Sequence, residues 1–326
     1  MLFLSRLFLI LIASAAALPA QKIRIGLIGL DTSHVIAFTS LLNEENNPLH
    51  VPGAIVTAAY KGGSPDIPSS INRIPGFTKT LTEKYGVRLY VNIADMCNEV
   101  DAILLTSLDG RTHLEQVKPV LDAGKPVFID KPLAGSLKDA VKIFQLAKKS
   151  GVPCFSSSSL RWHKGVIEVT NADAGEIRSA ISYGPAVSEP HHPSLFWYGI
   201  HATESLFTVM GPGCQSVTAT ENKNTIVVTG KWNNDRIGTL HGIRNGKTAF
   251  KVTAFGTKDI VEQASGGNYA PMLREIVKFF QTGIPPVSAD TTLELYAFME
   301  AADESIRRGG APIFLPEYLR KNGWAR

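Results

Sequence analysis

The sequence predicts an α/β chain, with an N-terminal Rossmann-type, doubly wound parallel sheet and a C-terminal α+β domain on a mostly antiparallel open sheet. Two textures and one turn carry that reading. From Ile23 to about residue 155, β-rich apolar runs (IRIGLIGL, AIVTAAY, AILLTS, PVFID and PCFSS) alternate with helix-length segments near 35–45, 81–85, 113–123 and 136–149. Unbroken Val/Ile/Leu runs suit strands buried on both faces, the condition of a parallel sheet between helical layers. After Arg161 the runs alternate with period two (EIRSAISYG, TIVVTGKW, GTLHGI, KTAFKVTAFG) and are separated by Gly, Asn or Asp, as in antiparallel sheets with one solvated face. The turn is IGLDTSH, directly after the first strand, which opens like a dinucleotide-binding βα unit.

Taken in order, residues 1–20 hold Arg6, an apolar run of about eleven residues and then small residues, the layout of a secretory signal peptide cleaved after Ala17 or Ala20. That run is short of the ~18 residues a membrane span needs, so the expectation is a periplasmic or secreted chain with no stable span after cleavage, the alternative being an uncleaved anchor. Residues 21–155 then form the dinucleotide-binding domain and 156–326 the substrate and oligomerisation domain. Helices fit at 195–210, ended by Gly211 and Pro212, at 271–281, and at 291–308, ended by Gly309 and Gly310. The last is expected to pack back on the first domain.

Composition narrows the function classes. With 326 residues, 44% hydrophobic and 19% charged, the chain is long enough for two domains with real cores. A formal charge of +4, one unit of it from Arg6, is too mild for a nucleic-acid or membrane-surface protein, and no basic run is interleaved with aromatics. Cys97, Cys154 and Cys214 lack zinc or redox spacing and read as small buried hydrophobes, or as one bridge plus one free thiol.

The chemistry-bearing residues cluster after strands. A G-x-G-x-x-G fingerprint starting at Gly29 would want glycine at Asp31 and His34, so only the turn glycine is kept. Asp31, Thr32 and Ser33 all suit a helix N-cap; the end is then either an anion site with two hydroxyls or a capped helix with no phosphate near it. Tyr60 stands where an acid would hold the adenine ribose, and Lys61 beside it either pairs with a 2′-phosphate, favouring NADP over NAD, or is a solvated charge. Asp130-Lys131-Pro132 follows the strand at 127–129, where open α/β sheets place their ligands; a desolvated lysine there could act as acid or base, and the alternative is an ordinary surface turn. His191 and His192 lie in a Pro-flanked loop with no carboxylate at ligand spacing, so a substrate-contacting loop is favoured over a metal site.

The ordered set of that turn, VDAILLTSLDGRTHLEQVKPVLDAGKPVFIDKPLAGS, GIHATESLFTVMG and LELYAFMEAADESIRRGGAPI resembles the glucose-fructose oxidoreductase / inositol dehydrogenase (Gfo/Idh/MocA) family over nearly the whole mature chain. The resemblance implies a nicotinamide dinucleotide, NADP or NAD, on the first domain, held around Gly29, Asp31, Thr32, Ser33, Lys61, Thr106, Ser107 and Lys131. It makes Lys131, in Asp-Lys-Pro where the family has Glu-Lys-Pro, the general acid/base, and His201 the group that orients or protonates the substrate oxygen; otherwise His201 would read as a core histidine. Arg161, Trp162, His192 and Trp197 complete the implied substrate side, with interdomain packing the alternative for Arg161 and Trp162. Trp197 replaces the family's usual aspartate and offers a sugar ring an aromatic face, Glu204 keeps another acidic position, and Thr106-Ser107-Leu108-Asp109 replaces Thr-Pro-Asn.

The function expected is thus an exported oxidoreductase that keeps its nicotinamide cofactor bound and moves a hydride to or from a secondary alcohol of a sugar or polyol. A close variant uses transient oxidation to modify a glycoside. The different-class alternative is a redox-inactive carbohydrate- or nucleotide-binding protein on the same scaffold, and the second domain's exposed sheet face could pair with another copy as a homo-oligomer.

Overall fold

The computed structural model describes residues 21–324, so the signal-peptide reading of residues 1–20 lies outside the described residues. Six strands, β1 (Ile23–Ile28), β2 (Ala54–Tyr60), β3 (Arg88–Tyr90), β4 (Ala102–Leu105), β5 (Val127–Ile129) and β6 (Cys154–Ser156), form one wholly parallel sheet in the order β3-β2-β1-β4-β5-β6. Their side chains are nearly all buried in β1, β4, β5 and β6, as strands sandwiched between helices require. The strand order reverses between β1 and β4, which makes the crevice beyond their C-terminal ends the place where such sheets bind ligands.

The helices of this half are α1 (His34–Asn43), α2 (Pro68–Ile71), α3 (Ile74–Tyr85), α4 (Ile93–Cys97), α5 (His113–Asp122) and α6 (Leu137–Ser150). Of these, α6 shows the cap chemistry most plainly: Ser136 Oγ accepts from Asp139 N at 3.1 Å, and Gly151 closes the far end in the left-handed region. The segment expected at 81–85 is only the last turn of α3, because Pro75 and Gly76 conceal the helix start; Pro in the first helical turn is in fact compatible with it.

Seven strands build the second sheet: β7 (Ile177–Pro185), β8 (Cys214–Asn222), β9 (Thr225–Trp232), β10 (Ile237–Ile243), β11 (Lys251–Gly256), β12 (Ile260–Glu262) and β13 (Ile313–Phe314), in the order β12-β11-β7-β10-β9-β8-β13. All neighbours are antiparallel except β10 with β7. Helices α7 (Lys164–Asn171), α8 (Ile200–Met210), α9 (Ala270–Thr282), α10 (Ala289–Arg307) and α11 (Leu315–Lys321) complete the fold. The expected helix at 195–210 starts five residues late: Phe196 N bonds Pro193 O and Ile200 N bonds Leu195 O in tight turns, and these turns leave Trp197 and Tyr198 on a loop.

The long helix α10 ties both halves to the site. Its Tyr296 hydroxyl accepts from Leu133 N, Glu300 accepts from Leu137 N at 2.8 Å, and Glu294 accepts from Gly213 N and Cys214 N at 2.6 and 2.7 Å. The loop after β5 is therefore held from behind by a buried helix whose Phe298 packs edge-on against Phe207. All three cysteines are buried and unpaired.

Candidate active site

At the strand ends the turn after β1 can be made only by glycine. Gly29 has φ +89°, and a Cβ there would lie 2.3 Å from Ser107 Cα. Thr106 Oγ1 donates to the Gly29 carbonyl at 3.0 Å and Ser107 Oγ to Gln116 Oε1 at 2.8 Å, so both side chains brace this turn and neither lines the cleft. Lys61 is exposed and outside the cleft; its carbonyl accepts from Leu30 N at 2.7 Å, which extends the β1–β2 ladder into the turn.

Asp31 is fully buried and faces inward. Its carboxylate accepts from Leu108 N at 2.9 Å and from Ser70 Oγ at 2.6 Å, and burial raises its pKa above the usual carboxylate value. Through Ser70 it anchors a segment, residues 62–72, that lies over the switch point. A Cβ on Gly62 would come 3.1 Å from Gly29 Cα, Ser64 N donates to Ser70 Oγ at 2.9 Å, and Ser64 Oγ donates to Asp109 Oδ2 at 2.6 Å. Arg111 then joins Asp66 and Asp109 at 2.9 and 2.8 Å. Burial would raise the Asp109 carboxyl, but His192, Arg111 and Ser64 outweigh it and hold it well below the usual range.

What remains open is a cavity of about 550 Å³ between the halves. Thr32, Ser33 and His34 bring the α1 N-terminus to it, where Ser33 makes no capping bond and Thr32 Oγ1 accepts from His34 N at 3.4 Å. Lys131 enters from the end of β5, 9% exposed, with no hydrogen bond or ion pair to its Nζ among the described residues; only its backbone N–H is used, donating to Asp130 Oδ1 at 2.8 Å. Burial lowers the Lys131 pKa, with Asp130 opposing and nearby Arg73 assisting. Asp130 in turn bonds His34 Nδ1; burial would raise this carboxyl, yet His34 and Lys131 bring it below its ordinary value. His34, standing where the fingerprint has its third glycine, is therefore not a packing defect but a brace on the residue before Lys131.

His201 comes from the first turn of α8. Its Nδ1 shares a 2.7 Å hydrogen bond with Ser158 Oγ, which also accepts from Leu160 N at 3.2 Å, and the ring lies edge-on to Tyr198 and Phe250. Burial, then the charge of Lys131, push its pKa well below the usual histidine value, so the ring is neutral at pH 7 with Nε2 free of any bond among the described residues. Trp197, Tyr198, Phe250 and Tyr269 give the cavity aromatic walls.

Three sequence-selected residues serve the walls rather than the space. Arg161 pairs through Nε with buried Glu204, Trp162 donates from Nε1 to Ser157 Oγ at 3.1 Å, and neither lines the cavity. His192 lies with Nδ1 3.0 Å from Glu189 and Nε2 3.1 Å from Asp109, and its ring backs Trp197 at 5.1 Å between centroids. Arg73, His163, Asn268 and Tyr269 line the cavity without having been singled out from the sequence. Only Arg73 had a visible signal, as a lone cation in an otherwise uncharged Pro/Ser/Asn-rich stretch.

Comparison with known proteins places this geometry. Residues 68–158 match the model of an oxidoreductase family with an NAD-binding Rossmann fold, Gfo/Idh/MocA. Inositol 2-dehydrogenase 3 of Saccharopolyspora erythraea is 32% identical over 119 residues, 34% of this chain and 35% of that protein. The match thus spans little more than a third of the length of the curated relatives. Among solved structures, a putative myo-inositol dehydrogenase from Sinorhizobium meliloti superposes with TM-score 0.75 at 15% identity, covering 90% of this chain and 100% of that one. A scyllo-inositol dehydrogenase from Lactobacillus casei, with bound NAD(H) and scyllo-inositol, gives 0.72 at 17% identity over 90% and 99%. At such identities the structures establish the fold.

Proposed function

We propose that the chain, whose residues 68–158 match the Gfo/Idh/MocA oxidoreductase family, oxidises or reduces a secondary alcohol of a sugar or polyol with a nicotinamide dinucleotide, NAD or NADP. The observation that carries this reading is a buried, unpaired Lys131 and a neutral His201 facing one cavity at the C-terminal end of β5.

The residues present fit one end of the dinucleotide. The α1 N-terminus, capped only by a 3.4 Å bond from His34 N to Thr32 Oγ1, suits a phosphate with the Thr32 and Ser33 hydroxyls, since the helix dipole favours an anion there. The crevice over Gly29, where the rest would lie, is covered by residues 62–72, so that segment must swing off its Asp31 and Asp109 anchors for the whole molecule to enter. When bound, the nicotinamide supplies the two-electron redox step. Lys131, with its pKa lowered, takes the hydroxyl proton during oxidation and returns it during reduction, a role worth about 10²–10⁴-fold in rate. His201 Nε2 orients the same oxygen, Ser158 fixes the imidazole, and Asp130 with His34 fixes the backbone that aims the lysine. Trp197 presents a flat face to the ring's C–H surface.

Anion and sugar binding without redox chemistry is a second reading, favoured by the covered crevice over Gly29. Titration with NAD⁺ and NADP⁺ separates the two, since only the first reading requires cofactor binding. We further propose export to the periplasm or medium through residues 1–20, tested by fractionation, which would make a retained and recycled cofactor necessary. Among the described residues no helix is long and apolar enough to cross a membrane. Exposed Ile181 and Ile237 on the outer face of the second sheet motivate a homo-oligomer, tested by light scattering.

A further inference from the structure

Among the described residues, no aspartate or glutamate lines the cavity that holds Lys131 and His201. It receives two cations, Arg73 and Lys131, and three imidazoles, His34, His163 and His201. Elsewhere near the strand ends arginines are neutralised: Arg111 by Asp66 and Asp109, Arg161 by Glu204. Arg73 is not; its guanidinium has no hydrogen bond or ion pair among the described residues, although it leads directly into α3 and lines the cavity beside Ser69. Nor is Lys131 Nζ, nine-tenths buried and without a partner. Asp130 behind Lys131 and solvent at the exposed Arg73 offset part of this charge, but two cations lining one half-enclosed space repel each other and favour an anion between them. A neutral polyol cannot supply that charge, and the position where a carboxylate would accept sugar hydroxyls carries Trp197.

We propose that Arg73 is a specificity residue for a substrate bearing an oxyanion: a sugar or polyol with a carboxylate or phosphate group. This deepens the redox reading and rests on it for the reaction, but not for the binding. The guanidinium offers two parallel N–H donors to the oxyanion, the α1 N-terminus being left to the cofactor's phosphate, and the reacting hydroxyl of the same molecule then falls between Lys131 and His201. The same oxyanion chemistry could come from the cofactor's own phosphate, which the test must distinguish.

Calorimetric titration of the full mature chain with glucuronate, glucose 6-phosphate, glucose and NAD⁺ separates the sources, in wild type, Arg73→Ala and Arg73→Lys. The expected result is that at least one of the two sugar anions binds tenfold or more tightly than glucose. Arg73→Ala should remove most of that difference, Arg73→Lys should keep part of it, and both should leave NAD⁺ affinity within about threefold. Arg73 is exposed and bonds nothing through its side chain, so the variants should melt with wild type. Equal binding of glucose and both anions overturns the proposal, as does an Arg73→Ala variant that loses NAD⁺ instead. If wild type binds a sugar anion through Arg73 but no NAD⁺, the anion site stands and the redox reading falls.

Discussion

Replacing Asp31 by alanine should tighten cofactor binding, although aspartate was placed there in a fingerprint that wants glycine. The carboxylate holds Ser70 Oγ at 2.6 Å and Leu108 N at 2.9 Å, and Ser70 relays the hold to Ser64 N at 2.9 Å. Hydrogen bonds to a charged group contribute ~1.5–3 kcal/mol each, and stranding the part-buried N–H of Leu108 costs at most about 1 kcal/mol. Offsetting part of this, the buried carboxylate has a raised pKa and is itself costly to keep ionised at pH 7. A net loosening of the 62–72 segment by about 2 kcal/mol follows, and if that closure opposes the dinucleotide, affinity should rise by up to about thirtyfold. Asp31→Asn should behave differently. Its oxygen still accepts from Leu108 N and its amide can donate to Ser70 Oγ, so the segment stays anchored and affinity stays near wild type. Titration of all three proteins with NAD⁺ and NADP⁺, with melting temperatures as a folding check, decides it. No gain in Asp31→Ala, or an equal gain in Asp31→Asn, would refute the idea that this tether covers the cofactor crevice.

Further outcomes follow from the same geometry. Lys131→Ala should lower kcat by about 10²–10⁴-fold in steady-state assays while leaving cofactor affinity within a few-fold, as expected for loss of a positioned acid/base. Because burial lowers the Lys131 pKa, and oxidation needs the deprotonated amine, the oxidation rate should climb with pH and level off below the usual lysine range. Reduction, which needs the protonated amine, should fall over the same interval; pH profiles in both directions report it. Trp197→Ala should raise KM more than it lowers kcat, since an aromatic face supplies ring contact rather than proton transfer. Phe298→Ala, which removes a fully buried side chain of α10 packed against Phe207 and Trp232, should cost ~3–5 kcal/mol of stability, read from chemical denaturation.

The parallel sheet was legible because β1, β4 and β5 are continuous apolar runs, and the second sheet because β9 and β10 alternate so cleanly. Short pieces were not. Three-residue β3 and helix α3 behind Pro75-Gly76 carry no period long enough to read, and the 62–72 segment has a loop composition that conceals how tightly it is held. Lys131 and His201 could be chosen from their motifs, yet their pKa shifts come from burial, from Asp130 and Arg73 acting on Lys131, and from Lys131 acting on His201, influences that only the fold brings together. Asp31 shows the limit best. Its identity suggested a charge opposing a phosphate, whereas the fold turns it inward as an anchor. His192 and Arg161 likewise read as substrate contacts and stand one layer behind, supporting Trp197 and Glu204.

The most direct test is to denature the purified protein, identify any released nucleotide by absorbance and mass, and titrate nucleotide-free protein with NAD⁺ and NADP⁺. A nicotinamide dinucleotide released in near-equal amount to the protein, or saturable binding of one form that tightens in Asp31→Ala, is the predicted result. Protein that releases no nucleotide and binds neither form, even with the tether removed, would contradict the oxidoreductase reading.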